Sequence, residues 1–306
     1  MKICPGCYEE NPEGGNFHPA CSQRIFGVRW EPSLGVLPGD FARVAQDMAG
    51  QMSISGVQPK ISGRLDRKTR SIEAAPKGGE FILKPPNDRF ENIPENEDLC
   101  MHLADLYGIE VPPHALVRAG EKDFVYVIRR FDRAKEGAKF AVEDMAQILG
   151  VPTYRKYSLS HEKIAQGILR YCTNRYLELI RYLERLLFCF LTGNGDMHLK
   201  NFSLMTDEKG TVALSPAYDL LSSKLVIPGE EDFALTLSGK KNRLKRADFA
   251  DFAVRLEISS KAFDSSLKRL LDLRPQFQEW TGKSFLSREK KDDFLKIIEE
   301  RSGRLS

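Results

Sequence analysis

Along the chain, the spacing of apolar residues changes character near position 130. Before it lie short runs of β-forming residues at 80–84, 114–118 and 123–128, bounded by Pro and polar residues, which predict strands. Between the first two runs, Leu99, Leu103 and Leu106 recur at helical spacing behind Glu95-Asn96-Glu97. Beyond position 130 the pattern is mainly helical. Residues 143–150 predict a short helical turn stopped by Gly150 and Pro152, and Ser160 is placed to cap a helix running to about 173. Tyr176, Leu177, Ile180, Leu183, Leu187 and Phe190 form an apolar stripe on a core helix that ends at Gly193, with Glu178, Arg181, Glu184 and Arg185 on the opposite face. Segments 202–205 and 211–214 predict two strands joined by a turn, 233–237 a β-like patch, and the remainder three helical stretches. The pattern therefore predicts an α+β protein of two lobes, a small β-rich N-lobe over 31–130 and a mainly helical C-lobe over 131–306.

Composition narrows the classes. The 306 residues carry 46 Lys+Arg against 43 Asp+Glu, with 42% hydrophobic residues, so the chain can bury an enzyme core and shows no general nucleic-acid-binding charge. The basic cluster Lys240, Lys241, Arg243, Lys245 and Arg246 reads first as a solvated loop and second as a contact for a nucleic acid or an acidic partner. No apolar run approaches the roughly 18 residues of a membrane span and no signal-peptide pattern opens the chain, which predicts a cytoplasmic protein without membrane contact.

Three of the six cysteines crowd the first 30 residues. Cys4, Cys7, His18 and Cys21 follow the spacing C-x2-C-x10-H-x2-C, four soft or borderline ligands in two chelating pairs, which suits a closed, structural tetrahedral zinc site. The Cys-Pro-Gly-Cys turn also fits a redox pair.

The loop Thr192-Gly193-Asn194-Gly195-Asp196-Met197-His198-Leu199-Lys200-Asn201 sits between a predicted helix and a predicted strand, and Asp219 follows Asn201 by eighteen positions. Phosphoryl transfer needs this set: one carboxylate, Asp196, to receive the attacking hydroxyl's proton, and an amide and a second carboxylate, Asn201 and Asp219, to hold Mg2+. Asn194-Gly195 is equally a tight-turn pair, but the 202–214 hairpin returns Asp219 toward Asn201, so that the three side chains share one face. Upstream, Lys84 leaves a buried-type strand between a Ser/Gly loop and an acidic helix start, the lysine and glutamate arrangement of kinases. In the segment Ser53-Ile54-Ser55-Gly56-Val57-Gln58-Pro59-Lys60, small residues let backbone N–H groups approach a phosphate; a polar hairpin turn fits the segment as well. Arg129-Arg130-Phe131 is a polar crossing after a buried strand, where an inter-lobe hinge and a stacked adenine fit.

Seven segments in order, the Ser53–Lys60 loop, Phe81-Ile82-Leu83-Lys84-Pro85, Pro94-Glu95-Asn96-Glu97, Val127-Ile128-Arg129-Arg130-Phe131-Asp132-Arg133, Glu143-Asp144-Met145-Ala146-Gln147, the Asp196 loop and Ser215-Pro216-Ala217-Tyr218-Asp219, resemble HipA-like serine/threonine kinase toxins of bacterial toxin–antitoxin systems. The resemblance covers roughly residues 50–300 and is nearest the short HipT-type toxins of three-component operons, which lack the N-terminal subdomain of longer HipA kinases. It implies a two-lobed protein-kinase-like fold using ATP and Mg2+, with Asp196 as catalytic base, Asn201 and Asp219 as magnesium ligands and Lys84 on the ATP phosphates. Gly56, Val57 and Gln58 would then belong to the phosphate loop, Arg130 and Phe131 to the adenine hinge, and Gln147 and His198 to the nucleotide site. Ser53 and Ser55 are the implied autophosphorylation positions, where about −1.5 to −2 of added charge would oppose the ATP phosphates. The implied substrate is an aminoacyl-tRNA synthetase. The implied partners are a helix-turn-helix antitoxin, which alone contacts DNA, and a separate small protein similar to the missing subdomain. Two other readings are a small-molecule phosphotransferase of the aminoglycoside- or choline-kinase kind, and a non-catalytic pseudokinase in a repressor complex. The cysteine cluster lies outside these motifs.

Overall fold

The computed structural model of the chain describes residues 2–36, 38–41, 43–44, 60–86, 89–120, 123–133 and 139–306. The expectations for Ser53, Ser55, Gly56, Val57 and Gln58 lie outside the described residues.

A two-stranded hairpin, β1 (Lys2–Ile3) with β2 (Glu10–Asn11), and helix α1 (Pro19–Phe26) form an N-terminal knuckle. Next come β3 (Ser33–Leu34), β4 (Ile61–Asp66), β5 (Ser71–Ala74), β6 (Phe81–Lys84), helix α2 (Ile93–Tyr107), β7 (His114–Ala119) and β8 (Asp123–Arg129). The six strands make one sheet in the order β3-β5-β4-β6-β8-β7, antiparallel except for β3 beside β5.

Strand periodicity sorts the residues of this sheet between two faces. Phe81, Leu83, Val125, Val127, Ala115 and Val117 pack with Ile25 and Phe26 of α1, whereas Leu116, Tyr126 and Ile128 pack with Leu99 and Leu103 of α2. Lys84 pairs in register with Tyr126 and so shares the face that meets α2.

The second half begins with β9 (Ala141–Asp144), α3 (Met145–Ile148), α4 (His161–Tyr171) and α5 (Arg175–Thr192). Strands β10 (Ser203–Thr206) and β11 (Val212–Leu214) form the expected antiparallel hairpin, with Leu204 opposite Leu214. Helices α6 (Arg246–Arg255), α7 (Ser260–Asp272), α8 (Arg274–Lys283) and α9 (Arg288–Leu305) follow. Among the described residues, no helix is long and apolar enough to cross a membrane.

Five local expectations are corrected. Part of the turn expected at 143–150 is strand: Ala141–Asp144 pairs with β10, and α3 begins only at Met145. The patch 233–237 alternates as a strand would, and Phe233, Leu235 and Leu237 are fully buried, yet its described pairings are single bridges, Ser160 to Thr236 and Leu237 to Lys240. Its two-residue period serves packing with no continuing partner strand beside it among the described residues. On α5, Tyr176 and Leu177 are exposed, because the helix packs through Leu179, Leu183, Leu186 and Leu187. Glu178 and Arg185 are buried rather than solvated: the Glu178 carboxylate accepts the Leu214 N–H at 3.0 Å, and Arg185 donates to the Ser215 carbonyl at 2.9 Å. Helix α5 thereby satisfies backbone groups of and just beyond β11 that packing has removed from water. Lastly, four helices rather than three follow residue 245, since Arg274–Lys283 is a separate helix started by a proline in its first turn.

Candidate active site

Helix α5 stops at Gly193, whose φ of 70° lies in the left-handed region and whose N–H closes on the Phe190 carbonyl. The chain then runs through Asn194 and Gly195 to Asp196. The Gly195 N–H donates to Ser223 Oγ at 2.7 Å, and Ser223 in turn donates to Glu230. A Cβ at position 195 would lie 2.6 Å from both Glu230 Oε2 and the Glu231 carbonyl, so this close approach requires glycine. Asn201 Nδ2 donates to the Asp196 carbonyl at 3.0 Å, which closes the loop and leaves the amide oxygen as the donor atom available to a hard cation.

Asp219 follows the β10–β11 hairpin with φ of 54°, a left-handed conformation that aspartate tolerates better than most residues. Tyr218 before it donates to the Lys200 carbonyl at 2.9 Å, and Asn194 Nδ2 reaches the Asp219 carbonyl at 3.5 Å. Helix α2 secures the segment after it: the Asn96 amide donates to the Ser222 carbonyl and accepts the Ser222 N–H, both at 2.9 Å.

Lys84 joins the two halves. Its Nζ donates to Glu97 Oε1 at 2.6 Å and to the Asp219 carboxylate, with 7% of the side chain exposed. Burial favours the neutral amine, but Asp219 and Glu97 outweigh it and hold the Lys84 pKa above the ordinary lysine value. Burial pushes Glu97 up to about 7 against the pull of Lys84. Asp219, with 28% of its side chain exposed, is held far below the usual carboxylate range by Lys84 and Lys60. A carboxylate ionised this firmly and an amide oxygen are hard donors that fit Mg2+, and the lysine beside them fits a phosphate.

The remaining predicted site residues have partners of their own. Asp196 Oδ1 accepts the Tyr157 hydroxyl at 3.0 Å. His198 Nε2 lies 2.8 Å from Lys156 Nζ, and burial lowers its pKa, so the ring is a neutral acceptor there. Phe131 stacks on Tyr218 at 5.8 Å between ring centroids, and Arg130 makes two bonds to Asp132 at 2.8 and 2.7 Å. Gln147 forms a capping box with Asp144, at 2.9 and 3.0 Å, on an exposed turn. Sequence reasoning assigned no role to Lys60, Tyr157 or Lys156. Lys60 is half-buried within the field of Asp219, Lys84 and Glu97, and desolvation and Lys84 together lower its pKa. Its one sequence signal is its place at the end of the Ser/Gly loop.

At the N-terminus, the ligand atoms of Cys4, Cys7, His18 and Cys21 all lie within 4.8 Å of one another, and none of the four residues is in a disulfide. A second cluster, Asp98, His102 and His114, is fully enclosed. Its members already have partners: the Tyr8 hydroxyl on Asp98 at 2.7 Å, the Pro5 carbonyl on His102 at 3.1 Å and Asp98 on His114 at 3.1 Å.

A sheet-borne lysine paired to a helix glutamate, facing an Asp–Asn loop and a second Asp, defines a two-lobed kinase-like fold. Solved structures agree. HipA from Shewanella oneidensis, in its complex with HipB and operator DNA, superposes with a TM-score of 0.68 at 22% identity over 83% of this chain and 65% of that one. The Helicobacter pylori proinflammatory kinase CtkA superposes at 0.58 with 13% identity over 83% of this chain and 91% of that one. The chain belongs to the HipA-like C-terminal domain family, whose model matches residues 52–276. Curated relatives include "Putative kinase Y4dM" of Sinorhizobium fredii, 37% identical over 233 residues, and the serine/threonine-protein kinase toxin HipA of Shewanella oneidensis, 25% identical over 247. The matches cover 71% and 74% of this chain and 56% of each relative, so the chain spans little more than half the length of either.

Proposed function

We propose that the protein is an ATP- and Mg2+-dependent serine/threonine kinase acting as a toxin. The carrying observation is Lys84 held between Glu97 and Asp219, because a decayed kinase has no need of a buried lysine charge supported by two carboxylates. In this reading Lys84 binds the nucleotide phosphates, and Asn201 and Asp219 hold the metal. Mg2+ supplies charge neutralisation on the transferring phosphoryl group. Asp196 takes the proton from the attacking serine or threonine hydroxyl, and the Tyr157 hydroxyl orients its carboxylate. The family and the HipB-bound likeness support a cytoplasmic toxin neutralised by a helix-turn-helix antitoxin, with DNA reached only through that partner. An aminoacyl-tRNA synthetase as substrate, autophosphorylation at Ser53 or Ser55, and assignment to the short HipT type with a separate small third component complete the proposal.

Mg-ATP is expected to raise the melting temperature of the full chain. At 100 times its dissociation constant a ligand adds about 2.7 kcal/mol, several degrees for a protein of this size. Differential scanning fluorimetry with and without Mg2+ reads the shift, and no shift with either nucleotide or metal would leave the pseudokinase reading in its place. Transfer of the γ-phosphate to protein rather than to sugars or choline separates the toxin from a small-molecule phosphotransferase.

Gly195→Ala offers a second check. The added methyl has to displace the Glu231 backbone or the Asp196 loop, and about an ångström of misplacement costs about 10²-fold in rate. Phosphoryl transfer should fall by that order while the Mg-ATP thermal shift persists.

A further inference from the structure

We propose that Cys4, Cys7, His18 and Cys21 bind one zinc ion, and that the knuckle it closes braces helix α2 so that zinc occupancy controls the setting of Glu97. The knuckle has the geometry such a site needs. Tetrahedral zinc at about 2.3 Å from sulfur places neighbouring ligand atoms about 3.8 Å apart. The four ligand atoms lie within 4.8 Å of one another, with Cys7 Sγ 3.3 Å from His18 Nδ1.

The histidine is already prepared. Its Nε2 lies 3.0 Å from the Glu10 carbonyl, which requires the proton on Nε2 and leaves the Nδ1 lone pair facing the thiols. The backbone supports the sulfurs as well: the His18 N–H donates to Cys4 Sγ at 3.3 Å, and the turn after Cys4 returns two N–H groups, those of Cys7 and Tyr8, to the Cys4 carbonyl at 3.3 and 2.8 Å. Gly6 permits the hairpin to approach α1, since a Cβ there would lie 2.8 Å from Cys21 Cβ. Binding displaces the three thiol protons to solvent and leaves a net charge of −1 on the site, beside Arg24, which donates to the Gly6 carbonyl at 2.7 Å.

The same turn touches α2. Tyr8, between the chelating pairs, is fully buried in a left-handed conformation at φ 57°, and its hydroxyl donates to Asp98 Oδ2 at 2.7 Å. Its ring packs against His102 at 4.6 Å and Trp280 at 5.4 Å. His102 in turn donates to the Pro5 carbonyl at 3.1 Å, inside the Cys-Pro-Gly-Cys turn. Asp98 is the residue after Glu97 on the first turns of α2. Two hydrogen bonds therefore run from the chelating turn to the helix that carries the Lys84 partner. A two-strand hairpin of two residues per strand has too little core to hold this turn without a staple.

The link to Glu97 rests on the kinase reading; the zinc site does not. The test uses the full chain purified without added metal. Elemental analysis should find one zinc per chain, released on mercurial titration of the thiols and detected with pyridylazoresorcinol, and the double substitution Cys7→Ser with Cys21→Ser should abolish it. Stripping zinc from the unaltered chain should raise amide hydrogen exchange in α2 by about tenfold, and zinc chloride alone should restore protection. Tyr8→Phe should keep the zinc yet show part of the same loosening. A chain that carries no zinc and takes up none at micromolar free metal overturns the site. Identical α2 exchange in stripped and reloaded protein overturns the brace. Neither readout involves nucleotide, so a protein that fails to bind Mg-ATP in both zinc states counts against the kinase reading alone.

Discussion

Asp196→Asn is expected to abolish phosphoryl transfer while leaving the fold and Mg-ATP binding in place. The amide keeps the shape and can still accept from Tyr157, which in the native site reaches Asp196 Oδ1 at 3.0 Å. The loop is held by groups the substitution does not touch: the Gly193 cap on α5, the Gly195 N–H on Ser223 and the Asn201 amide on the Asp196 carbonyl. Only the proton acceptor is lost, a function that contributes about 10²–10⁴-fold to rate. Radiolabel transfer to protein should fall by that factor or below detection, whereas the thermal shift with Mg-ATP should match that of the unaltered chain. Growth arrest on expression should vanish with it. Transfer persisting within a few-fold would assign the base to another residue.

Lys84→Met is expected to lower stability strongly, in addition to removing the proposed phosphate contact. The side chain is of similar length, but Glu97, with 1% of its side chain exposed, then loses its cation in a site where its second oxygen already has no partner. Removing one member of a buried ion pair costs about 3–5 kcal/mol. The penalty should depend on pH. In the native protein burial holds Glu97 at about 7, and without Lys84 its pKa moves higher still. A carboxyl whose folded pKa lies above its unfolded value of 4.5 contributes stability that is complete below that value and is lost as pH rises through the folded pKa. The variant should therefore be more stable at pH 5 than at pH 8, relative to the unaltered chain, in urea unfolding monitored by circular dichroism. The double variant Lys84→Met with Glu97→Leu should recover part of the loss, because no charge is then left unpaired. Equal destabilisation at both pH values would show that the cost comes from packing.

The legible parts of this protein were the local ones. The Asp196 loop, the β10–β11 hairpin and the Lys84 strand are each specified within about twenty residues by capping, turn and alternation rules, and all stand where the pattern places them. Local rules misled where a polar residue's fate depended on a distant backbone. Glu178 and Arg185 occupy the polar side of α5 by periodicity, yet they are buried because backbone groups of residues 214 and 215 need partners there.

Sequence by itself determined the kinds of element, the order of the motifs and the identity of the chemical groups, because helix and strand periods and chelating spacings are properties of a few consecutive residues. The tertiary structure decided which groups meet. It chose Glu97 over Glu95 as the partner of Lys84, placed Lys60 in the field of Asp219, brought Tyr157 onto Asp196 and set Tyr8 on Asp98. The hydrogen-bonded contacts among these join residues 13 to 90 positions apart, and at such separations no local period fixes a direction. For Glu97 and Asp98 it is the packing of α2 between the sheet and the helical half that does so.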